Sequence, residues 1–271
     1  VNNIAYVPEY TGQRYYDTHY KFVIELLKAA GVEVKLYHDK RKGRGFVMCY
    51  RDRSILIDFG DHLTVADDYP KYDAQFRFHY SRKRHKELKN TFPLTPISFY
   101  DWTEYLKLEK MLRYNANGMI LSNQRPGAAA LKRRRFVQYR LKEWYGGQVD
   151  TSFTGKKAFW KKVNKCLVSV CVPGARNDIL DRGQFQYMAF GACTISPQLD
   201  IVLPYWKELK PGVHYIACRD DYSDILSVIE QCINDRDSCI KIGIQAKKLF
   251  KEYCTPVKVI DWINHCLERL Q

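Results

Sequence analysis

Residues 167 to 218 constrain the fold more than any other part of the chain. They run as an apolar segment LVSVCVPG, a polar turn ARNDILDRG, a small-residue segment QFQYMAFGA, a second apolar segment CTISP, and then LKPGVHYIACRDDYSD. In physical terms the order is strand, loop, helix, strand, loop, strand and capped helix, which is half of a Rossmann-like domain. Parallel α/β sheets bind ligands outside the carboxyl ends of their strands, and the turn after the first strand carries Arg176, Asn177, Asp178 and Arg182 to that place. Two arginines beside a helix N-terminus suit a diphosphate. Gln186 falls in the first turn of the same helix, where its amide can hydrogen-bond a ribose or sugar hydroxyl. Ala189, Gly191 and Ala192 are small enough for a ligand or the next strand to approach closely, and Gly191 also serves as a plain helix stop.

A second cycle of the same kind begins at Met119. The strand MILSN leads into QRPGAAALKRRRFVQYRLKEWYGG, a proline-glycine turn and a basic helix that stops at Gly146 and Gly147. Ser122, Asn123, Gln124 and Arg125 offer hydroxyl, amide and guanidinium donors at the strand end. Arg133 or Arg134 follows roughly two turns further on and reaches the same ligand only if the helix tips toward the cleft. The plainer reading makes Arg125 a loop residue and the arginine run a solvated face. Upstream, IAYVP, a helical pattern from Tyr16 to Ala30 stopped by Gly31, and VEVKLYH form a β-α-β unit over residues 1 to 38. GFVMCYRDRSILIDFGDH reads as two strands joined by a short turn, KYDAQFRFHY as another strand, NTFPLTPISF as a loop, and 101 to 114 as a helix. The expected fold is therefore α/β with two Rossmann-like domains facing across a cleft, residues 1–117 and 118–271. The second domain is expected to include the terminal helices, one capped by Asp221 or Ser223 and one entered through Thr255 and Pro256.

The 271 residues are 46% apolar and 14% aromatic, a globular composition that excludes a disordered chain. No run approaches the roughly 20 apolar residues that span a bilayer. The chain begins at Val1, which leaves a removed leader or anchor open. Nine cysteines without a CxxC pair, many at apolar positions, read as unpaired core thiols and not as a disulfide framework or a zinc site. The net charge of +14 and the isoelectric point near 9.3 call for an anionic partner: nucleic acid, an anionic membrane face or a phosphate-bearing small molecule.

The segment DRGQFQYMAFGACTISPQLDIVLPYWKELKPGVHYIACRDDYSDILSVIEQCINDRD resembles the donor-binding domain of GT-B glycosyltransferases. It is most similar to the CAP10-like O-glucosyl and O-xylosyl transferases, with exostosin-like enzymes next. In that group a small-residue helix ending in Gly, a strand, and LKPxxHYxxxxxDYSDL recur in this order, and LKPGVHYIACRDDYSDI reproduces the last of these. The likeness covers about residues 165 to 255 and fades toward the N-terminus. Gln186 stands where related sugar transferases often carry a Glu, and the serine-x-arginine pattern before that helix is absent.

The resemblance implies an inverting transfer of xylose or glucose from a UDP-sugar to a carbohydrate hydroxyl. The donor would lie on Ser122, Asn123, Arg125, Arg133, Arg176, Asn177, Asp178, Arg182 and Gln186. The base that takes the acceptor proton would come from the N-terminal domain, where Asp61, Asp17 and His19 are the candidates, with Asp58 beside them. No DxD signature stands in an apolar strand context, so no metal ion or other cofactor is expected. GRGF at 43–46 lacks the helix that a dinucleotide turn needs. Expected partners are the UDP-sugar and a glycan acceptor, with a membrane face as a further contact. The cytosol is the favoured compartment and the secretory lumen the other setting. The rival reading is a basic nucleic-acid-binding α/β module without catalysis, using the runs at 81–89 and 131–136 with Tyr80, Phe136 and Tyr139. No recognised reader motif supports it, and nucleic acid is not the expected partner.

Overall fold

The computed structural model describes residues 3–9, 14–38, 45–60, 71–95, 102–111, 117–125, 127, 130–174 and 176–270. For Arg14, Tyr15, Tyr16, Thr18 and Arg182 the description stops at the backbone. The chain divides into two compact units. The first is Val1–Thr103 with Asp200–Glu208 and Glu252–Gln271, and the second is Glu104–Leu199 with Leu209–Lys251.

The first unit is built on a six-stranded sheet in the order β2-β1-β3-β4-β5-β6, where β1 is Ile4–Pro8, β2 Glu33–Tyr37, β3 Gly45–Tyr50, β4 Arg53–Asp58, β5 Ala74–Arg77 and β6 Thr91–Pro93. All strands run parallel except β3, which is antiparallel to both β1 and β4. The crossover from β1 to β2 is helix α1 (Arg14–Ala29), ended by Gly31 at φ 77°. β3 and β4 pair Tyr50 with Arg53 across a two-residue turn, with Arg51 and Asp52 both at positive φ as such hairpins require. The short α2 (Arg82–His85) leads into β6, a strand within a stretch whose prolines read as a loop in the sequence. Pro93 ends this edge strand, where a missing N–H donor is tolerated.

The last helix, α9 (Pro256–Glu268), belongs to the first unit, whereas sequence reading carried the second domain through to residue 271. Its apolar face of Val259, Ile260, Trp262 and Ile263 is buried, it packs on α1, and Trp262 Nε1 donates to Pro93 O at 2.8 Å. Thr255 and Pro256 start it as the sequence indicates. The return segment Asp200–Glu208 adds the small ladder of β11 (Val202–Leu203) and β12 (Lys207–Glu208) to the same unit.

The second unit holds a fully parallel five-stranded sheet in the order β13-β10-β9-β7-β8. Here β7 is Met119–Leu121, β8 Val149–Asp150, β9 Cys166–Val170, β10 Cys193–Pro197 and β13 Ile216–Cys218. Every residue of β9 and β10 is buried, as expected of strands covered on both faces. Helices α4 (Leu131–Tyr145) and α7 (Ile225–Asn234) pack together, as do α5 (Lys156–Val163) and α6 (Arg182–Phe190). The core between α4, α7 and the sheet includes Val137, Leu141, Val168, Ile195, Ile225 and Ile229. Helix α3 (Trp102–Met111) is pinned by Tyr105, whose ring meets those of Trp160, Phe190 and Phe250 and whose hydroxyl donates to Ala189 O at 3.0 Å. Glu109 of α3 accepts from Lys247 and Lys251 of α8 (Arg236–Tyr253), each at 2.8 Å. All nine cysteines are unpaired and eight are buried; burial pushes the Cys218 thiol up to about 12. Among the described residues, no helix is long and apolar enough to cross a membrane.

Candidate functional site

Ordering the strands of the second sheet by sequence gives 2-1-3-4-5, so the connections leave β7 and β9 in opposite directions. The carboxyl ends of β7 and β9 are the topological switch point, where the two loops part and leave a crevice. The first loop carries Ser122 to Arg125, and the second carries Cys171 to Leu180.

Both loops are held from α4. Gln138 Nε2 donates to Ser122 O at 2.9 Å and to Gln124 O at 3.0 Å. Arg134 spans both loops: Nε and Nη2 donate to Val172 O at 2.9 and 2.8 Å, Nη1 to Arg125 O at 2.7 Å, and Nη2 also meets Asp181 Oδ2 at 3.1 Å. Arg133 donates to Pro173 O at 3.2 Å, to Gly174 O at 3.0 Å and to Asn177 Oδ1. The arginine run is thus turned inward at two positions, where the planar fork of donors collects carbonyls that a strand end leaves unpaired. Lys132 and Arg135 stay exposed.

Other contacts complete the frame. Tyr187 of α6 donates its hydroxyl to Asn123 Oδ1 at 2.9 Å, and Tyr222, at φ 58°, donates to Cys171 O at 3.0 Å. Burial pushes both phenols far above their ordinary range, so they act as fixed neutral donors. Asn177 Nδ2 donates to Asp220 O at 2.6 Å, joining the loop after β9 to the loop after β13. Arg176 is doubly bonded to Asp178, at 2.9 and 3.0 Å. Asp181 caps α6 by accepting from Gly183 N at 2.9 Å.

Within this frame some groups have not found partners. Ser122 is 1% exposed and its Oγ has no hydrogen bond; Gln124 is 9% exposed and neither its Oε1 nor its Nε2 has one. A buried polar group left unpaired costs roughly 1–3 kcal/mol, and a bound polar ligand removes that cost. Arg125 is exposed beside them and, among the described residues, forms no ion pair. A hydroxyl, an amide and a free guanidinium on four consecutive residues can bind an oxygen-rich anion.

The structure therefore brings Ser122, Asn123, Arg125, Arg133, Arg176, Asn177 and Asp178 to the ends of β7 and β9. Asn123, Arg133 and Asn177 are already engaged as framework, and Arg176 is neutralised by Asp178. Gln186 lies on the face of α6 toward α5, where its Oε1 accepts from Trp160 Nε1 at 2.8 Å. Arg182 opens α6, and its side chain lies outside the described residues. Gln138, Tyr187 and Asp181 were not singled out from sequence. Gln138 stands one turn beyond Arg134, which is the spacing that could have revealed it.

In the first unit, Asp17 is half-buried and pairs with Lys21 at 2.7 Å. His19 is buried against the rings of Phe59 and Phe78, at 5.5 and 5.1 Å. Asp61 lies outside the described residues. It follows directly on a buried polar knot in which Asp58 accepts from Gly60 N at 2.7 Å and Gln75 Nε2 at 3.1 Å and meets Arg77 at 3.2 Å. Burial lowers the Arg77 guanidinium pKa, against the opposing charge of Asp58.

No protein-family model matches the chain. Two curated proteins share a short stretch with it. Uncharacterized protein 179R of Invertebrate iridescent virus 6 is 27% identical over 63 residues, and uncharacterized protein 035R of Invertebrate iridescent virus 3 is 32% identical over 62. Each stretch is 23% of this chain, and the match spans 5% and 6% of the viral proteins. Among solved structures, a glycosyltransferase from Rickettsia africae superposes with a TM-score of 0.50 over 97% of this chain and 83% of its own, at 9% identity. HepE of Anabaena, solved in complex with UDP and glucose, also scores 0.50, over 99% of this chain and 100% of its own, at 10% identity. The chain shares the fold of these two solved structures. At these identities the likeness is one of architecture, and it extends over both units.

Proposed function

We propose that the chain is a UDP-sugar-dependent glycosyltransferase whose second unit holds the nucleotide at the carboxyl ends of β7 and β9. The observation that carries this reading is the set of orphaned buried groups on Ser122 and Gln124 beside the unpaired Arg125, at the switch point of a 2-1-3-4-5 sheet. The shared fold with HepE, a protein solved with UDP and glucose, supports a nucleoside diphosphate as occupant. The segment LKPGVHYIACRDDYSDI favours the CAP10-like group and hence xylose or glucose as the sugar, with inversion at the anomeric carbon. In the structure this segment is largely framework: His214 Nδ1 accepts from Lys210 N at 3.0 Å, the Tyr215 hydroxyl accepts from Leu199 N at 3.1 Å, and the Tyr222 hydroxyl donates to Cys171 O at 3.0 Å.

In the proposed reaction a base on the first unit takes the proton of the acceptor hydroxyl. The acceptor oxygen bonds to the anomeric carbon as the bond from that carbon to the diphosphate oxygen breaks, and UDP departs with its negative charge. Arg125, with Arg182 at the start of α6, offsets that charge, so no metal ion is required. We assign the base to Asp61, because Asp17 is committed to Lys21 and His19 is packed among rings.

UDP should raise the melting temperature of the protein, as does any ligand that binds only the folded state, and Arg125→Ala should weaken UDP binding by roughly tenfold or more. Calorimetric titration of the parent and this variant with UDP checks both. With UDP-glucose or UDP-xylose, proton NMR of the product should show an inverted anomeric centre, at a rate that EDTA leaves unchanged. Equal UDP affinity in Arg125→Ala removes the proposed phosphate contact, and a retained configuration refutes inversion.

A further inference from the structure

Helix α4 uses only part of its surface to hold the site. Val137 and Leu141 are fully buried in the core, and Arg133, Arg134 and Gln138 are bonded to the loops after β7 and β9. The opposite side carries Lys132, Phe136, Tyr139 and Glu143 at spacings of four, three and four residues, a single stripe along the helix axis. Arg135, Lys142 and Arg140 flank the stripe, and Trp144 closes its C-terminal end. Phe136 is 46% exposed, Tyr139 64% and Trp144 68%, three of the large apolar side chains that the protein leaves in water. Glu143 is the single acid in a helix with six lysines and arginines, and it accepts from the Tyr139 hydroxyl at 3.3 Å.

We propose that this face of α4 docks the protein on an anionic phospholipid surface. A solvated charged face explains the lysines and arginines but not three exposed rings set among them. Rings of Phe, Tyr and Trp interleaved with long basic side chains match the membrane boundary, where aromatics settle at headgroup depth and cations meet lipid phosphate and carboxylate. The stripe lies along a helix of 15 residues, about 22 Å long, and its side chains project as a convex ridge. That shape lies flat on a bilayer, whereas a single-stranded nucleic acid needs a groove with a stacking platform. The inward side of α4 is bonded to the site loops, which leaves the outward stripe to meet a partner.

The test is co-sedimentation of the whole protein with vesicles of phosphatidylcholine alone and of phosphatidylcholine mixed with phosphatidylserine, at low and high salt. The parent should pellet with the mixed vesicles, not with phosphatidylcholine alone, and high salt should release part of it. F136S/Y139S/W144S should lower the partition coefficient by about tenfold or more, and K132E/R135E/K142E should abolish pelleting. Both variants change exposed positions outside the proposed nucleotide site, so their melting temperatures and UDP affinity should equal those of the parent. A parent that stays in the supernatant with phosphatidylserine present, or variants that pellet as it does, overturns the proposal. So does retention of a single-stranded oligonucleotide in place of vesicles. UDP binding is read separately, so failure here leaves the nucleotide site standing.

Discussion

Replacing Arg134 with alanine is expected to destabilise the protein by about 3 kcal/mol and to remove UDP binding along with the geometry of the two loops. The guanidinium is largely buried and bonds Val172 O twice, Arg125 O once and the Asp181 carboxylate, whose side chain is 11% exposed. Truncation leaves the loop carbonyls of Val172 and Arg125 without their donor and one mostly buried carboxylate without its counter-charge. Asp181 is also the cap of α6, so its displacement loosens the helix that follows β9. Arg134→Lys restores a charge near Asp181 but not the planar fork, and should recover less than half of the loss. Urea unfolding of the three proteins measures this. An alanine variant within about 0.5 kcal/mol of the parent would mean that the loops hold themselves, since ordinary surface changes fall in that range.

An effect of similar size is expected from a single methyl group at Gly243. This residue lies inside α8, and a Cβ there would stand 2.1 Å from Gly191 O and 2.9 Å from Gly191 C. Both are backbone atoms, so no side-chain rotation relieves the clash. Gly191 is itself fixed by its φ of 85° as the left-handed end of α6, which leads directly into β10. Helix α8 must move off the sheet or β10 must shift, and Gly243→Ala should cost about 3 kcal/mol or more. On exposed helical surface the same change stabilises by up to about 1 kcal/mol, so the sign of the result is diagnostic. Thermal unfolding decides it. A variant as stable as its parent would show that α8 and the Gly191 turn are not in contact.

These two positions also show how far the sequence could be read. The order of strands and helices through residues 166–197 is legible because β9 and β10 are short apolar runs and α6 ends in a glycine. Gly243 gives no such signal: a glycine within KIGIQAKK marks a close approach only when the partner backbone is known. The arginine run of α4 reads as positive charge, and sequence cannot tell a guanidinium that meets phosphate from one that gathers carbonyls. Arg133 and Arg134 do the latter.

Gln186 is expected in the first turn of its helix, but α6 begins at Arg182, so it is the fifth residue, and helical phase decides its direction. Gln184 turns toward Thr194 and Ser196 on the sheet, whereas Gln186 turns toward Trp160. Two short elements, β8 and α5, went unread because KKAFWKKV hides one buried stripe, Trp160 and Val163, among lysines. The fate of α9 was equally hidden, since an apolar helix face does not state which sheet it will cover. What the sequence did mark was the loop after β7, where Ser122 and Arg125 stand with Gln124 between them.

The central claim is that the nucleotide occupies the ends of β7 and β9, and amide hydrogen exchange with and without UDP tests it most directly. Bound UDP should slow exchange in residues 121–125 and 171–178, with the sheet strands of the first unit unchanged. Slowing confined to residues 55–60 and 76–81 of the first unit, or no slowing under conditions where UDP is bound, would contradict it.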